Sequence, residues 1–131
     1  MMLMIPKGYE SATPDTTPSR EAVATMMQYN RRLMDAGVLL SLDGLHPPSA
    51  GTRISFNGGK ARATDGPFAE AKEVLGGYWI IDVKSKADAV AWALQCPAQD
   101  GDTIEVRQVQ EIGDFPPDVR EAIGDVQLGR Q

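Results

Sequence analysis

Apolar residues recur three or four positions apart at Val23, Met26, Met27, Leu33 and Met34, with Asn30 on the same stripe. Ser19 stands before Arg20 and Glu21 as a cap, and Gly37 stands where a helix stops, so the spacing predicts a helix over 19–36. A second helix is predicted over 85–95. Ser85 with Asp88 three residues on forms an approximate capping box, and Ala89, Val90, Trp92, Ala93 and Leu94 supply the apolar side before Cys96-Pro97. A different period runs through Thr103–Val109, where Ile104 and Val106 alternate with polar neighbours and mark half-buried antiparallel sheet. Tyr78–Val83 is almost continuously apolar and reads as a central strand. Met1–Ile5 is too short for a useful helix and ends at Pro6, so it reads as a buried strand followed by a polar loop from Lys7 to Pro18. Val38–Leu42 is β-compatible and is stopped by Pro47-Pro48, which cannot donate to a ladder. Thr52–Phe56 and Ala61–Thr64 flank Asn57-Gly58-Gly59-Lys60, a strong hairpin signal. A helical turn is predicted at Ala69–Glu73, and Gly76-Gly77 releases the chain into the central strand.

The order strand, helix, strand, hairpin, strand, helix, strand predicts an α+β fold of the ferredoxin-like, split βαβ kind. It has an antiparallel sheet, an inserted β-hairpin and the helices on one sheet face. The methionines of the first helix read as core filler, because a flexible thioether adapts to irregular gaps. The uncovered sheet face needs a partner, and a second copy of the chain supplies one, so a homodimer through that face is expected. After Ile112 the pattern changes. Gly113, Pro116 and Pro117 precede a short helix over 118–123 and a polar end expected to fray, which divides the chain into a domain at 1–112 and an extension at 113–131.

Composition narrows the function by exclusion. Thirteen Lys and Arg against eighteen Asp and Glu leave a net charge of −5, with no basic face for nucleic acid or an anionic membrane. One cysteine, Cys96, and one histidine, His46, cannot assemble the usual Cys and His zinc sets, and no cofactor fingerprint is present, so neither metal nor cofactor is expected. Gly76-Gly77 lacks the residues of a Rossmann or phosphate-binding loop. The apolar run at the N-terminus is shorter than the core of a secretory signal, and the location expected is cytoplasmic.

Thr64-Asp65-Gly66-Pro67-Phe68-Ala69-Glu70-Ala71-Lys72-Glu73, with Leu75-Gly76-Gly77-Tyr78 behind it and Gly44-Leu45-His46-Pro47-Pro48 upstream, resembles the YCII-related proteins of the DGPF type. The resemblance covers residues 1–110 or so of the chain. It implies a protomer of the dimeric α/β-barrel kind, a small-molecule pocket between helix and sheet, and a bacterial origin, in some cases alongside extracytoplasmic-function sigma factors. Related proteins have a proposed His and Asp pair in their cleft, which maps to His46 and Asp65. The first strand lacks the tyrosine such proteins often carry, so no role for that hydroxyl is expected here. The resemblance supplies a fold and a cleft without naming a reaction.

The residues themselves leave the chemistry open. Asp65 can shape its Asp-Gly-Pro turn through bonds to nearby backbone amides, and it can also face a ligand as base or acceptor. Gly66 permits close backbone approach and Pro67 fixes the next φ, which makes a rigid corner. His46 is either a surface residue or a proton shuttle that Asp65 could orient. Glu70 and Glu73 share one side of the expected turn and Lys72 another. They read as a solvated face, or else Lys72 meets an anionic ligand with Glu73 beside it. Tyr78, Trp79 and Trp92 can wall a pocket or simply pack. Ser55 and Ser85 lack a nucleophile context, and Cys96 reads as inert. Three functions stay open: a small-molecule binder, an acid/base enzyme using Asp65 and His46 in the same pocket, and, as the resemblance implies, an accessory protein of a sigma-factor system that acts through its acidic surface or tail.

Overall fold

A computed structural model describes residues 1–128 of the chain. Six strands and three helices follow in the order β1 (Met2–Ile5), α1 (Arg20–Asp35), β2 (Leu39–Gly44), β3 (Thr52–Asn57), β4 (Lys60–Asp65), β5 (Gly77–Ile81), α2 (Lys86–Ala93), β6 (Thr103–Val106) and α3 (Pro117–Ile123). The class is α+β. Four strands form one antiparallel sheet in the order β2-β5-β1-β6, and β3 with β4 forms a separate two-stranded sheet.

Both major helices begin as their sequences dictate. Ser19 Oγ accepts the amide of Ala22, and Ser85 Oγ accepts the amide of Asp88, each over 3.1 Å, which satisfies one of the open donors at each helix start. Gly37 then takes a positive φ of 73° and turns the chain from α1 into β2.

Side-chain alternation divides the main sheet into two faces. Met2, Met4, Leu42, Trp79, Ile81, Ile104 and Val106 point toward α1 and α2 and form the core with Met26, Tyr29, Leu33, Trp92, Ala93 and Cys96. The Tyr29 and Trp79 rings meet edge to face at 5.9 Å, and the Tyr29 hydroxyl donates to the Trp92 carbonyl over 2.7 Å, joining the two helices. The opposite face carries Leu3, Ile5, Tyr78 and Ile80 along its centre, with Ser41, Asp43, Thr103 and Glu105 on the outer strands.

Several local expectations change. The buried stripe of α1 is Met26, Tyr29, Asn30 and Leu33, while Val23, Met27 and Met34 are exposed, because the helix is rotated to place the Tyr29 ring against Trp79. On α2, Ala89, Trp92 and Ala93 face inward, but Leu94 lies past the last helical turn and is 81% exposed. Residues 69–73 form no helix. A single turn from Ala71 N–H to the Phe68 carbonyl is followed by extended chain, since Val74 is buried and Gly76-Gly77 must run straight into β5. In the C-terminal segment, Glu111 and Asp114 cap a short 3₁₀ turn ahead of α3. The frayed end expected for the tail falls partly on residues 129–131, outside the described residues. Among the described residues no helix is long and apolar enough to cross a membrane.

Candidate functional site

Two proline-bearing segments build one corner. The first leaves β2 at Gly44, and the Leu45 amide donates to the Gly76 carbonyl over 2.9 Å, so the chain is still tied to the sheet there. Pro47 is fully buried, and Pro48–Ala50 makes one 3₁₀ turn into β3. The second segment leaves β4 at Asp65, where the Gly66 amide donates to the Gly51 carbonyl over 2.9 Å. A β-carbon on Gly66 would lie 1.8 Å from the Pro48 carbonyl oxygen, so only glycine lets the two backbones touch. The Gly66-Pro67 peptide is cis. Tyr9 Oη donates to the Leu45 carbonyl over 2.5 Å and Ser49 Oγ to the Ala12 carbonyl over 2.7 Å, fastening the N-terminal loop to the same corner.

These contacts bring the segments of His46 and Asp65 together. His46 is exposed in the extended stretch just before the buried Pro47, and among the described residues its imidazole makes no hydrogen bond or ion pair. Asp65 is exposed and ends β4 directly opposite Thr52, whose hydroxyl donates to Asp65 Oδ1 over 2.8 Å. That bond replaces the expected one to turn amides, because the Gly66 amide is already engaged by Gly51. Among the described residues the second carboxylate oxygen of Asp65 makes no hydrogen bond.

Tyr78 lies elsewhere, on the open face of the sheet. Its hydroxyl donates to Asp43 Oδ2 over 2.5 Å, across the β2–β5 pairing in which the two residues stand opposite one another. This bond to a carboxylate is the main reason the phenol's pKa is raised above its ordinary value. Desolvation and the adjacent negative charge act in the same direction.

With this geometry in view, comparison with known proteins identifies the chain's relatives. The model of the YCII-related domain matches residues 1–113. The chain belongs to the YCII-related family. It is also 36% identical over 63 residues to an uncharacterized protein of Rhizobium meliloti (strain 1021), a match that takes in 48% of this chain and 51% of that protein. The chain therefore spans about half the length of the curated relative it matches.

In this YCII-related domain the remaining candidates separate. Gly66 forms the corner itself. Lys72 and Glu73 sit exposed on the extended stretch after the corner, so the helical face that would have aligned Glu70 with Glu73 does not form. Trp79 and Trp92 serve the core. Cys96 is half-buried, and burial, aided by the Asp102 carboxylate, pushes its thiol up to about 11, so the thiolate is scarce at neutral pH.

Two hollows flank these features. One of about 560 Å³ lies against the corner, walled by Ser49, Pro67, Phe68 and Ala71 on one side and by Glu10–Pro14 on the other. The larger, about 930 Å³, opens at the far end of the main sheet between Ser41, Ile80 and Val106 and the start of α2, and holds Lys84, Lys86 and Arg107. Neither is walled by His46 or Asp65.

Asp43 is the polar group that sequence reasoning missed. Its signal was available in principle, since pairing β2 antiparallel with β5 sets an acid opposite Tyr78. Asn30 lies on the helix stripe by its spacing, and the structure adds its role as acceptor for the Trp79 indole.

Proposed function

We propose that the protein is a homodimeric small-molecule binder whose ligand is held at the Pro48–Gly66 corner by His46 and Asp65. The observation that supports this reading is the contact of Gly66 with the Pro48 carbonyl, which holds an exposed imidazole and an exposed carboxylate on adjoining, mutually braced segments beside a hollow. A rigid corner of this kind presents polar groups without ordering them anew on binding, which is what a preformed site requires. The same pair is suited to acid/base work, with Asp65 as acceptor and His46 as proton carrier.

The strand order β2-β5-β1-β6, with α1 and α2 on one face, supports a ferredoxin-like protomer with the β3–β4 hairpin inserted. The apolar centre of the other face, Leu3, Ile5, Tyr78 and Ile80, supports pairing of two copies through their sheets as a dimeric α/β barrel.

Thermal unfolding against a metabolite panel tests the binder. A ligand at about 100 times its Kd adds about 2.7 kcal/mol of stability. That gain should vanish in Asp65→Asn and His46→Gln, both of which keep the fold. Absence of any stabilising compound, or an equal response in both variants and the wild type, would overturn the site. Turnover of the compound found, lost in both variants, would make the pair catalytic.

A further inference from the structure

The hollow of about 560 Å³ beside the corner has a one-sided chemistry. Three hydroxyls line it, and each spends its proton inside the protein: Ser11 on the Gly8 carbonyl over 3.1 Å, Ser49 on the Ala12 carbonyl over 2.7 Å and Thr13 on Asp15 Oδ1 over 2.7 Å. Their oxygens remain as acceptors. Glu10 adds a carboxylate, half-buried on the 3₁₀ turn Tyr9–Ser11, and among the described residues it makes no hydrogen bond or ion pair. No Lys, Arg or His stands among the described residues of the lining. Pro67, Phe68 and Ala71 close the hollow with apolar surface. A carboxylate half withdrawn from water against such a wall is stabilised by a cation that also donates hydrogen bonds.

We propose that the ligand of the corner is an organic amine, protonated at neutral pH, whose ammonium sits on Glu10 and whose apolar body lies on Pro67 and Phe68. The volume is that of a small-molecule pocket, roughly 300–1,000 Å³. An alkylammonium brings three donors and no acceptor, the complement of a lining whose side chains only accept. A carboxylate or phosphate ligand would meet Glu10 as a like charge, with no side-chain donor in the lining to offset it. The net charge of −5 acts the same way at long range, since it draws cations toward the chain. The Arg53 guanidinium lies over the Phe68 ring at 4.2 Å without entering the lining, and neither it nor Lys72 forms an ion pair with Glu10.

Glu10 is held in place by its neighbours. Tyr9 Oη is bound to the Leu45 carbonyl and the Ala12 carbonyl to Ser49, so the turn is pinned to the corner on both sides of the carboxylate. Ser49 and Pro67 adjoin Pro48 and Gly66, whose contact braces the segments of His46 and Asp65, and the hollow therefore adjoins the pair. The inference rests on the binder proposed above and supplies the class of its ligand.

Phenethylammonium, hydrocinnamate and phenethyl alcohol share one apolar body and differ in charge, and ¹⁵N-resolved amide spectra of the full chain report their binding. The ammonium probe should shift the amides of residues 10–13 and 68–71 and bind more tightly than the other two. Glu10→Gln removes the charge and no bond of the free protein, and it should weaken the amine by about tenfold or more, the loss of one charge-assisted hydrogen bond. Hydrocinnamate bound as tightly as the amine, no shift at these residues with millimolar amine, or an affinity unchanged in Glu10→Gln would each overturn the proposal. Should Glu10→Gln lose its circular dichroism, the order of the three probes on the wild type decides. Amine binding that persists in Asp65→Asn and His46→Gln supports the hollow and removes the pair from the binder. A stabilising compound that needs Asp65 and His46, carries no amine and is indifferent to Glu10→Gln overturns the amine and leaves the binder.

Discussion

Trp79 and Asn30 satisfy each other inside the core: the indole Nε1 donates to Asn30 Oδ1 over 2.8 Å, and both residues are buried. The amide is the buried polar side chain of α1, and its position on the apolar stripe follows from this bond. Asn30→Ala leaves a buried indole N–H unpaired, which costs about 2 kcal/mol. For a chain of this size that corresponds to a melting point lower by roughly 6–8 °C. Thermal unfolding followed by circular dichroism checks it. A drop within the error of the measurement would mean the bond contributes nothing.

Gly66→Ala forces a methyl group into the Pro48 carbonyl, a backbone atom that cannot rotate aside. The expected cost is about 2 kcal/mol or more, in the range of overpacked interiors. Gly113→Ala, which meets nothing within 4 Å, serves as the control and should leave the unfolding midpoint in urea unchanged. If the two variants unfold together, the corner is looser than the contact indicates.

Asp43→Asn should let the Tyr78 phenol ionise at lower pH. In the wild type, losing the proton removes a hydrogen bond and places two negative charges side by side, whereas an amide partner imposes no such charge penalty. Ultraviolet tyrosinate titration of the two proteins gives the comparison, and superimposable curves would show that the pair is not formed in solution.

Alkaline pH should destabilise the fold in a defined window. Burial raises Cys96 from 9.0 to about 11 and Tyr29 from 10.0 to about 12. An acid raised in the folded state holds its proton more tightly there. Its contribution is complete below the unfolded value and is lost as pH rises through the folded one. Stability is therefore expected to hold to about pH 9 and then fall toward pH 12. In Cys96→Ala the onset should move toward the ordinary tyrosine value. Urea midpoints across this range measure both, and a flat profile would contradict the burial of these two groups.

What the sequence determined by itself was local and periodic. Ser19 and Ser85 as caps, the alternation of Ile104 and Val106, and the turn at Asn57–Lys60 specify elements because each depends on neighbours a few residues away. The family resemblance rests on other short segments, 44–48, 64–73 and 75–78, and the match to the YCII-related domain over residues 1–113 agrees with it. The failure at residues 69–73 is instructive. Helical propensity was present, but burial of Val74 and entry into β5 required extended chain, so packing prevailed over local preference. Tertiary structure alone decided which distant residues meet. Asp43 faces Tyr78, Gly66 rests on Pro48, Asp65 is bound by Thr52 rather than by its own turn, and Asn30 accepts from Trp79. Each of these contacts depends on strand register or loop closure between segments far apart in the chain, and neither is encoded in the period of any single segment.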